Sequence, residues 1–435
     1  MLRELYKKAG RVGDAASFVP SSFIKNRSYF LFLLSVSVSF FAWQFYLVSM
    51  LIIARKITGK NMADLADTFV LSVSLLPPLL LFPVAGYIID RFNRRKIVIT
   101  SKLCNAAVAF MFLIPLAQSN FYLFICFHVV ATVFFVFFII AKNSLIPSIY
   151  KRDDLAAANV LINLVRTFML ILGALLGGLM VDRTNHNLLF LSCACLHLLA
   201  SVLLRWVHVR PAANCAYKQL HRTAQTNTLL QTLLYGLAYL KRHRYILLLV
   251  ASRVFINMAE GLRLLYIAMA TEVFALGDQG LGFFAALHGA GFLVGSLVVA
   301  KTHFLTTAKR RLLIITQGLA SMGVGFVLLG LLGHQWGWLG GICVVWIFAG
   351  SACVRIVSIT LIHRAGHTAF FGRVFAADTG ISALAQLLIT LLLGLFLGPH
   401  SVVTITILCG VLFLLVAAVW HKFAAAYFDD RADTE

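Results

Sequence analysis

The amino-acid sequence predicts an all-α membrane protein, with twelve transmembrane helices in two pseudo-symmetric six-helix bundles. Three observations carry that expectation: an apolar excess too large for a water-soluble surface, twelve apolar runs of spanning length, and a one-sided distribution of Lys and Arg. Of the 435 residues, 61% are hydrophobic and 12% charged, with a mean hydropathy of +0.91. A soluble domain averages about 45–50% apolar and about 25% charged residues. Polar groups too few to clothe this much Leu, Phe and Val imply lipid as the solvent.

A spanning helix needs about 20 mostly apolar residues. Such runs lie near 29–53, 67–89, 97–117, 121–141, 155–181, 188–207, 246–273, 280–300, 312–333, 337–361, 375–397 and 402–420. The first is too long for the apolar core of a cleaved signal peptide and is read as a retained helix. Counting Lys and Arg in alternate connections gives 28 on one side and 4 on the other. Basic residues accumulate in cytoplasmic loops, so both termini are expected in the cytoplasm. An even helix count requires the same.

The domain organisation follows: an N-terminal segment 1–28, a six-helix bundle 29–207, a linker 208–245, a second bundle 246–420 and a tail 421–435. Within the linker, Leu229, Leu230, Leu233, Leu234, Leu237 and Leu240 recur at helical spacing before Lys241, Arg242 and Arg244. That pattern suits either a helix lying in the membrane interface or an irregular cytosolic linker. The halves also echo each other. Leu145-Ile146-Pro147, a polar turn and Ala156-Ala157-Ala158 parallel Leu361-Ile362, a polar turn and Gly372-Arg373-Val374-Phe375-Ala376-Ala377. A repeated six-helix unit points to a transporter with its site between the halves.

The net charge of +21 is accounted for by the loop bias, and no basic-aromatic platform or zinc finger suggests nucleic acid. Seven of the eight cysteines (Cys104, Cys126, Cys193, Cys195, Cys343, Cys353 and Cys409) lie inside apolar runs, and Cys215 in the linker. They read as small buried hydrophobes, without metal-ligand spacing. No cofactor is expected. An enzyme would need converging nucleophile, base or metal ligands, and the sequence contains no H-x-x-x-x-D, H-E-x-x-H or G-x-S-x-G.

Between the second and third runs stands Gly86-Tyr-Ile-Ile-Asp90-Arg91-Phe-Asn-Arg94-Arg95, of the form G-x-x-x-D-R-x-x-R-R. Glycine allows a neighbouring helix to approach, and Asp90 can pair with a cation or a helix N-terminus. The loop resembles the signature of the major facilitator superfamily, with Asn93 where that family usually has Gly. Helix count, central loop and terminus placement match over nearly the whole chain. Stretches such as Leu145–Asn159, Asn163-Leu-Val-Arg166-Thr, Leu172–Gly178, Gly280–Gly291 and Gly372–Ala376 resemble a bacterial branch containing siderophore exporters, macrolide efflux pumps and lysophospholipid transporters.

That branch commonly carries Gly-Asp in the middle of the first helix, where this chain has Ala42-Trp43. The second-half copy of the charged loop is also degenerate, with Ala300-Lys301 and no acid. The resemblance implies a conformational gate at Gly86, Asp90, Arg91, Arg94 and Arg95, with Arg166 near the same gate.

Ionisable residues within spans are costly and by default mark function. Arg253, Glu260 and Arg263 share the seventh run, with Arg166 on the fifth and Arg355 on the tenth. Glu260 and Arg263 are three apart and share a face, as do Arg253 and Glu260 at seven. Glu260 reads as the only acid deep in a span, hence the candidate for proton coupling. These charges form either a substrate cavity favouring an anion or a structural network satisfied between helices. Trp43, Gln44, Asn257 and Tyr266 are candidate cavity linings. His128, His197 and His288 read as hydrogen-bonded packing residues, His288 being the exception because Gly289 and Gly291 flank it.

The resemblance implies a secondary active transporter of the bacterial inner membrane, working as a monomer by alternating access. Its expected cargo is a small amphipathic or anionic molecule, a siderophore or a drug, exported with protons as the coupling ion. Lysophospholipid movement and import of a small anionic metabolite stay open, since direction is not legible from residues.

Overall fold

The computed structural model of the protein describes residues 26–58, 63–114, 119–183, 186–209, 241–262, 265, 277–302, 307–332, 337–365, 370–396 and 402–428. Lipid offers no partner to backbone N–H and C=O groups, so apolar runs satisfy them internally as helices. Among the described residues, twelve long helices follow in order: α1 (Arg27–Thr58), α2 (Ala63–Arg91), α3 (Arg94–Met111), α4 (Phe121–Ile149), α5 (Leu155–Arg183), α6 (His186–Arg205), α7 (Arg244–Gly261), α8 (Gly277–Lys301), α9 (Ala308–Leu332), α10 (Gly337–Ala365), α11 (Phe371–Phe396) and α12 (Val402–Ala425). Among the described residues, nine contain a stretch long and apolar enough to cross a membrane; α3, α7 and α8 fall outside that group. In α3 the reason is charge, since Arg94, Arg95, Lys96 and Lys102 share 18 residues.

Helix ends are fixed by local chemistry. Asn93 caps α3, its side chain accepting from the amides of Arg95 and Lys96 at 3.0 and 3.3 Å. Asn120 caps α4 in the same manner. The asparagine found where the resemblance expects glycine therefore has a role of its own, satisfying two amides that the helix leaves open.

The repeat is visible in the packing. In the first half α1 packs on α5 and α6, α3 on α4 and α6, and α2 on α4. In the second, α7 packs on α11 and α12, α9 on α10 and α12, and α8 on α10. Adding six to each helix of the first set reproduces the second. The halves meet through α2 with α11 and α5 with α8, and through α5 with α10 and α4 with α11. Each of these two pairings is likewise carried onto its companion by the same shift. Close approach uses the small-residue steps: Gly173 and Gly177 lie on the α1 backbone at Phe41 and Phe45, and Gly291 and Gly295 on α10 at Val345 and Ala349.

One end of the bundle gathers the α2–α3, α4–α5, α8–α9 and α10–α11 junctions, the start of α1 and the end of α12. It is termed the basic end here. Large apolar side chains such as Leu80, Phe168, Leu391, Leu408 and Leu415 are exposed on the flanks, where lipid would cover them.

Three expectations change. Lys142, just past the expected end of the fourth apolar run, lies inside α4, which runs on to Ile149, and it is buried. The eleventh helix starts at Phe371 rather than near 375, so Asp378 lies two turns inside it. Glu260 is thus not the only acid within the bundle. The linker helix, Arg263 and Tyr266 fall outside the described residues.

Candidate functional site

The interior charges gather around α7, α10 and α11 with α5 and α8 facing them. At about 1.5 Å per residue, they lie about 10 to 24 Å from the basic end. Arg253 (α7) bonds Asp378 (α11), with Nε and Nη2 at 2.9 and 2.8 Å from the same carboxylate oxygen. Its Nη1 reaches the backbone oxygen of Arg355 at 3.5 Å. Side-chain exposures of 7% and 4% place this pair among packed helices. Arg253 and Glu260 share a helix face as expected, yet the ion pair runs to Asp378.

Glu260 instead belongs to a second, more open group. Arg355 (α10) donates from Nη2 to Asn257 Oδ1 at 3.2 Å and lies 3.5 Å from Glu260 Oε1. His288 (α8) places Nε2 3.6 Å from the same Glu260 oxygen. Asn257 turns its amide to Ser382 Oγ at 2.9 Å. Side-chain exposures of 12% for Glu260, 14% for Arg355 and 23% for His288 contrast with the closed Arg253 pair. Five neighbours on four helices are thereby joined.

Aromatic rings complete the group. The ring of Phe292 (α8) takes the guanidinium of Arg355 at 5.4 Å and that of Arg166 at 5.6 Å. Arg166 comes from α5 and Arg355 from α10, so one ring links a cation from each half. His288 lies against Phe348 with ring centroids 3.9 Å apart. Lys142 (α4) sits 5.0 Å from the Phe40 ring and within electrostatic reach of Arg166, Arg253 and Arg355. Among the described residues, four cations therefore face two carboxylates here, Glu260 and Asp378.

Trp43 stacks on Phe135 at 3.7 Å inside the first half, and Gln44 packs against Gly173. His128 is a packing residue as expected, between Tyr46 Oη at 3.0 Å and Ser74 Oγ at 2.7 Å. His197 differs, because its buried Nδ1 has no hydrogen-bond partner among the described residues.

At the basic end, Asp90 closes α2 onto the first turn of α11. Its carboxylate accepts from the amides of Gly372 at 2.8 Å and Arg373 at 3.2 Å. Arg373 Nε and Arg94 Nη2 flank it at 3.3 and 3.5 Å. An acid of one half thus caps a helix N-terminus of the other, where open amides and the helix dipole both favour negative charge. A Cβ on Gly372 would overlap the Asp90 carboxylate, and one on Gly86 would lie 3.0 Å from Ala376 Cβ. Arg94 also donates to the Ser144 carbonyl at 3.0 Å, Arg95 ties α3 to the carbonyls of Leu204 and Arg205 on α6, and Arg91 donates to Tyr87. The described contact of Arg166 is with the Phe292 ring of α8.

The matching junction uses neutral groups. Asn159 (α5) donates to Thr360 Oγ1 at 3.0 Å and lies 3.2 Å from His363 Nδ1, whose Nε2 is 3.0 Å from the Asn143 carbonyl. Asn163 donates to Ser296 Oγ at 2.7 Å. The two echoing stretches of sequence thus meet each other across the halves.

Both the repeat in the packing and the charged α2–α3 junction have a counterpart among known proteins. The family model described as Major Facilitator Superfamily matches residues 31–390. The chain belongs to the Major Facilitator Superfamily. Solved members share its fold at low identity. The human organic anion transporter MFSD10 has a TM-score of 0.70 at 12% identity, covering 91% of this chain and 98% of that one. A bacterial homologue of the iron transporter ferroportin, in an outward-facing state, has a TM-score of 0.68 at 15% identity, covering 91% and 100%. The proton:xylose symporter XylE has 0.66 at 14%, covering 91% and 95%. No curated protein matches the chain in sequence. Membership in this superfamily makes the protein a transporter, not an enzyme, moving a small-molecule substrate through the membrane by alternating access.

Proposed function

We propose that this superfamily member exports a small organic anion, amphipathic or carboxylate-bearing, through the space between its halves. The carrying observation is the excess of cations at mid-depth among the described residues: Lys142, Arg166, Arg253 and Arg355 against Glu260 and Asp378. Buried charges of one sign require compensation, and an anionic substrate supplies it. The Phe292 ring between Arg166 and Arg355 adds an apolar surface suited to an amphipathic cargo. A siderophore or an anionic drug has this chemistry. The fold shared with a human organic anion transporter agrees with the class at the level of architecture.

In this reading Arg355, Glu260, His288, Asn257 and Arg166 touch the substrate, while Arg253 and Asp378 hold α7 to α11. Glu260, 3.6 Å from His288, is the proton-exchanging group. The Asp90 network is the gate at the basic end, which faces the cytoplasm of a bacterial inner membrane, and the monomer is the working unit.

Uptake of labelled organic anions into proteoliposomes under an imposed pH gradient tests the reading. Wild type should take up carboxylate-bearing substrates and ignore organic cations. Arg355→Ala and Glu260→Gln should each reduce the rate at least tenfold with folding intact. Equal transport of anions and cations, or wild-type rates in both variants, would sink the proposal. Lysophospholipid transport is tested in the same vesicles with a labelled lysolipid.

A further inference from the structure

The neutral junction between the halves holds a histidine in one proton state. Within α4, Pro147 has no N–H to give the Asn143 carbonyl one turn back, so that carbonyl is open to a donor from outside the helix. His363, near the end of α10 and 4% exposed, places Nε2 3.0 Å from the Asn143 oxygen. A carbonyl only accepts, so Nε2 carries the ring proton. The other edge of the ring faces Asn159 of α5, whose Nδ2 lies 3.2 Å from His363 Nδ1 and 3.0 Å from Thr360 Oγ1. Thr360 donates its own proton to the Ile356 carbonyl at 2.7 Å and so accepts from Asn159. The Asn159 amide therefore presents its hydrogens to Nδ1, which is the bare, accepting nitrogen.

A second proton has no place in this arrangement. On Nδ1 it would meet the Asn159 amide hydrogens. Turning that amide over would set its oxygen against Thr360 Oγ1 and cost the bond to Ile356. The groups around the ring oppose the charge as well. Lys142 of α4 and Arg253 of α7 lie within electrostatic reach, α5 presents the neutral Asn159, and α11 presents the rings of Phe371 and Phe375. Among the described residues no carboxylate contacts His363. Asp378 is bound to Arg253, Asp90 to the α11 amides and Asp154 to Tyr29, while Asp153 is exposed. We propose that His363 is a proton-binding site of the transport cycle, neutral while the basic end is closed and protonated when that end opens. Opening brings water to the ring, where imidazole takes a proton near pH 6.5, about its ordinary value. By linkage, acid favours the open state and closure expels the proton. The site is separate from Glu260. It takes from the proposed function only that the basic end opens, and holds whatever the cargo.

The test places spin labels at Lys151→Cys and Ala365→Cys, exposed positions of opposite halves at the basic end, in the full chain freed of native cysteines. Double electron–electron resonance in lipid nanodiscs reads their separation at pH 7.5 and pH 5.5. The ratio of separated to close pairs should rise about tenfold between the two, the change expected of one imidazole that titrates near 6.5 in the open state alone. His363→Gln should remove the pH response. Thr360→Val frees the Asn159 amide to turn its oxygen to a protonated ring, and should weaken the response severalfold while leaving the end closed at pH 7.5. Asp90→Ala, which opens the end by a route independent of His363, is the reference. Separated pairs in Asp90→Ala with no pH response in the wild type overturn the proposal alone. Close pairs in both, at either pH, overturn the gate at the basic end with it. A response that survives in His363→Gln belongs to another group, such as Glu260, and equally overturns the proposal. Should His363→Gln stand open at both pH values, the response of Thr360→Val decides.

Discussion

Arg253 and Glu260 lie seven residues apart on one helix, yet their surroundings assign them different work. Arg253 shares a closed contact with Asp378, so removing one partner strands a charge between α7 and α11. Breaking such a pair costs about 3–5 kcal/mol, whereas replacing both partners by apolar groups is often neutral. Asp378→Asn is therefore expected to lower the detergent unfolding temperature sharply, and Arg253→Met with Asp378→Leu to recover most of it; calorimetry of both decides. Glu260→Gln leaves a neutral hydrogen-bonding group in a partly open site and should keep the wild-type unfolding temperature while losing transport. The linear sequence points to Glu260, Arg355, Asn257 and His288, because a polar residue within an apolar run is conspicuous. It conceals Asp378, which sits at a helix entrance if α11 begins four residues late. Lys142 is hidden by the same kind of boundary shift in α4.

Helices α2 and α11 carry the charged contact at the basic end, and its geometry explains why glycine stands at 372. A side chain there would occupy the space of the Asp90 carboxylate. Gly372→Ala should therefore separate Asp90 from the α11 amides without touching any charge. Hydrogen bonds to a charged group contribute about 1.5–3 kcal/mol each. Losing one bond's worth of that stabilisation shifts a two-state equilibrium about 10- to 150-fold, a tenfold change being about 1.4 kcal/mol. The shift would favour the conformation with the basic end open. Cysteine accessibility at position 159, in a background free of native cysteines, is the measurement: modification should quicken in Gly372→Ala and in Asp90→Ala, and stay slow with Asp90 and Gly372 intact. The signature loop itself is legible in the order of residues, as is the existence of α2 and α3. Its partner is not, because Asp90 and Gly372 are 282 residues apart and contact across that distance leaves no local pattern.

The whole molecule repeats six helices with a shift of six, while its chemistry does not follow the repeat. One junction between halves is sealed by a carboxylate and two arginines, the other by asparagine, serine, threonine and histidine. Helix number and the repeat are readable from apolar runs and the echo at 145–158 and 361–377, since lipid forces each run into a helix. Which helices of opposite halves touch is a property of the fold alone. The described hydrogen bonds joining the halves cluster toward the basic end, at Asp90, Asn143, Asn159 and Asn163. This arrangement places the basic end in its closed state, and alternating access then requires those contacts to part together. Asn159→Cys with Thr360→Cys, joined by a short reducible thiol cross-linker, should hold them shut. The prediction is loss of at least nine-tenths of transport on cross-linking, full recovery on reduction, and unchanged substrate binding from the opposite side. Transport persisting through the cross-link would show that the halves do not separate at this end, and rocking around the mid-depth cluster would no longer describe the cycle.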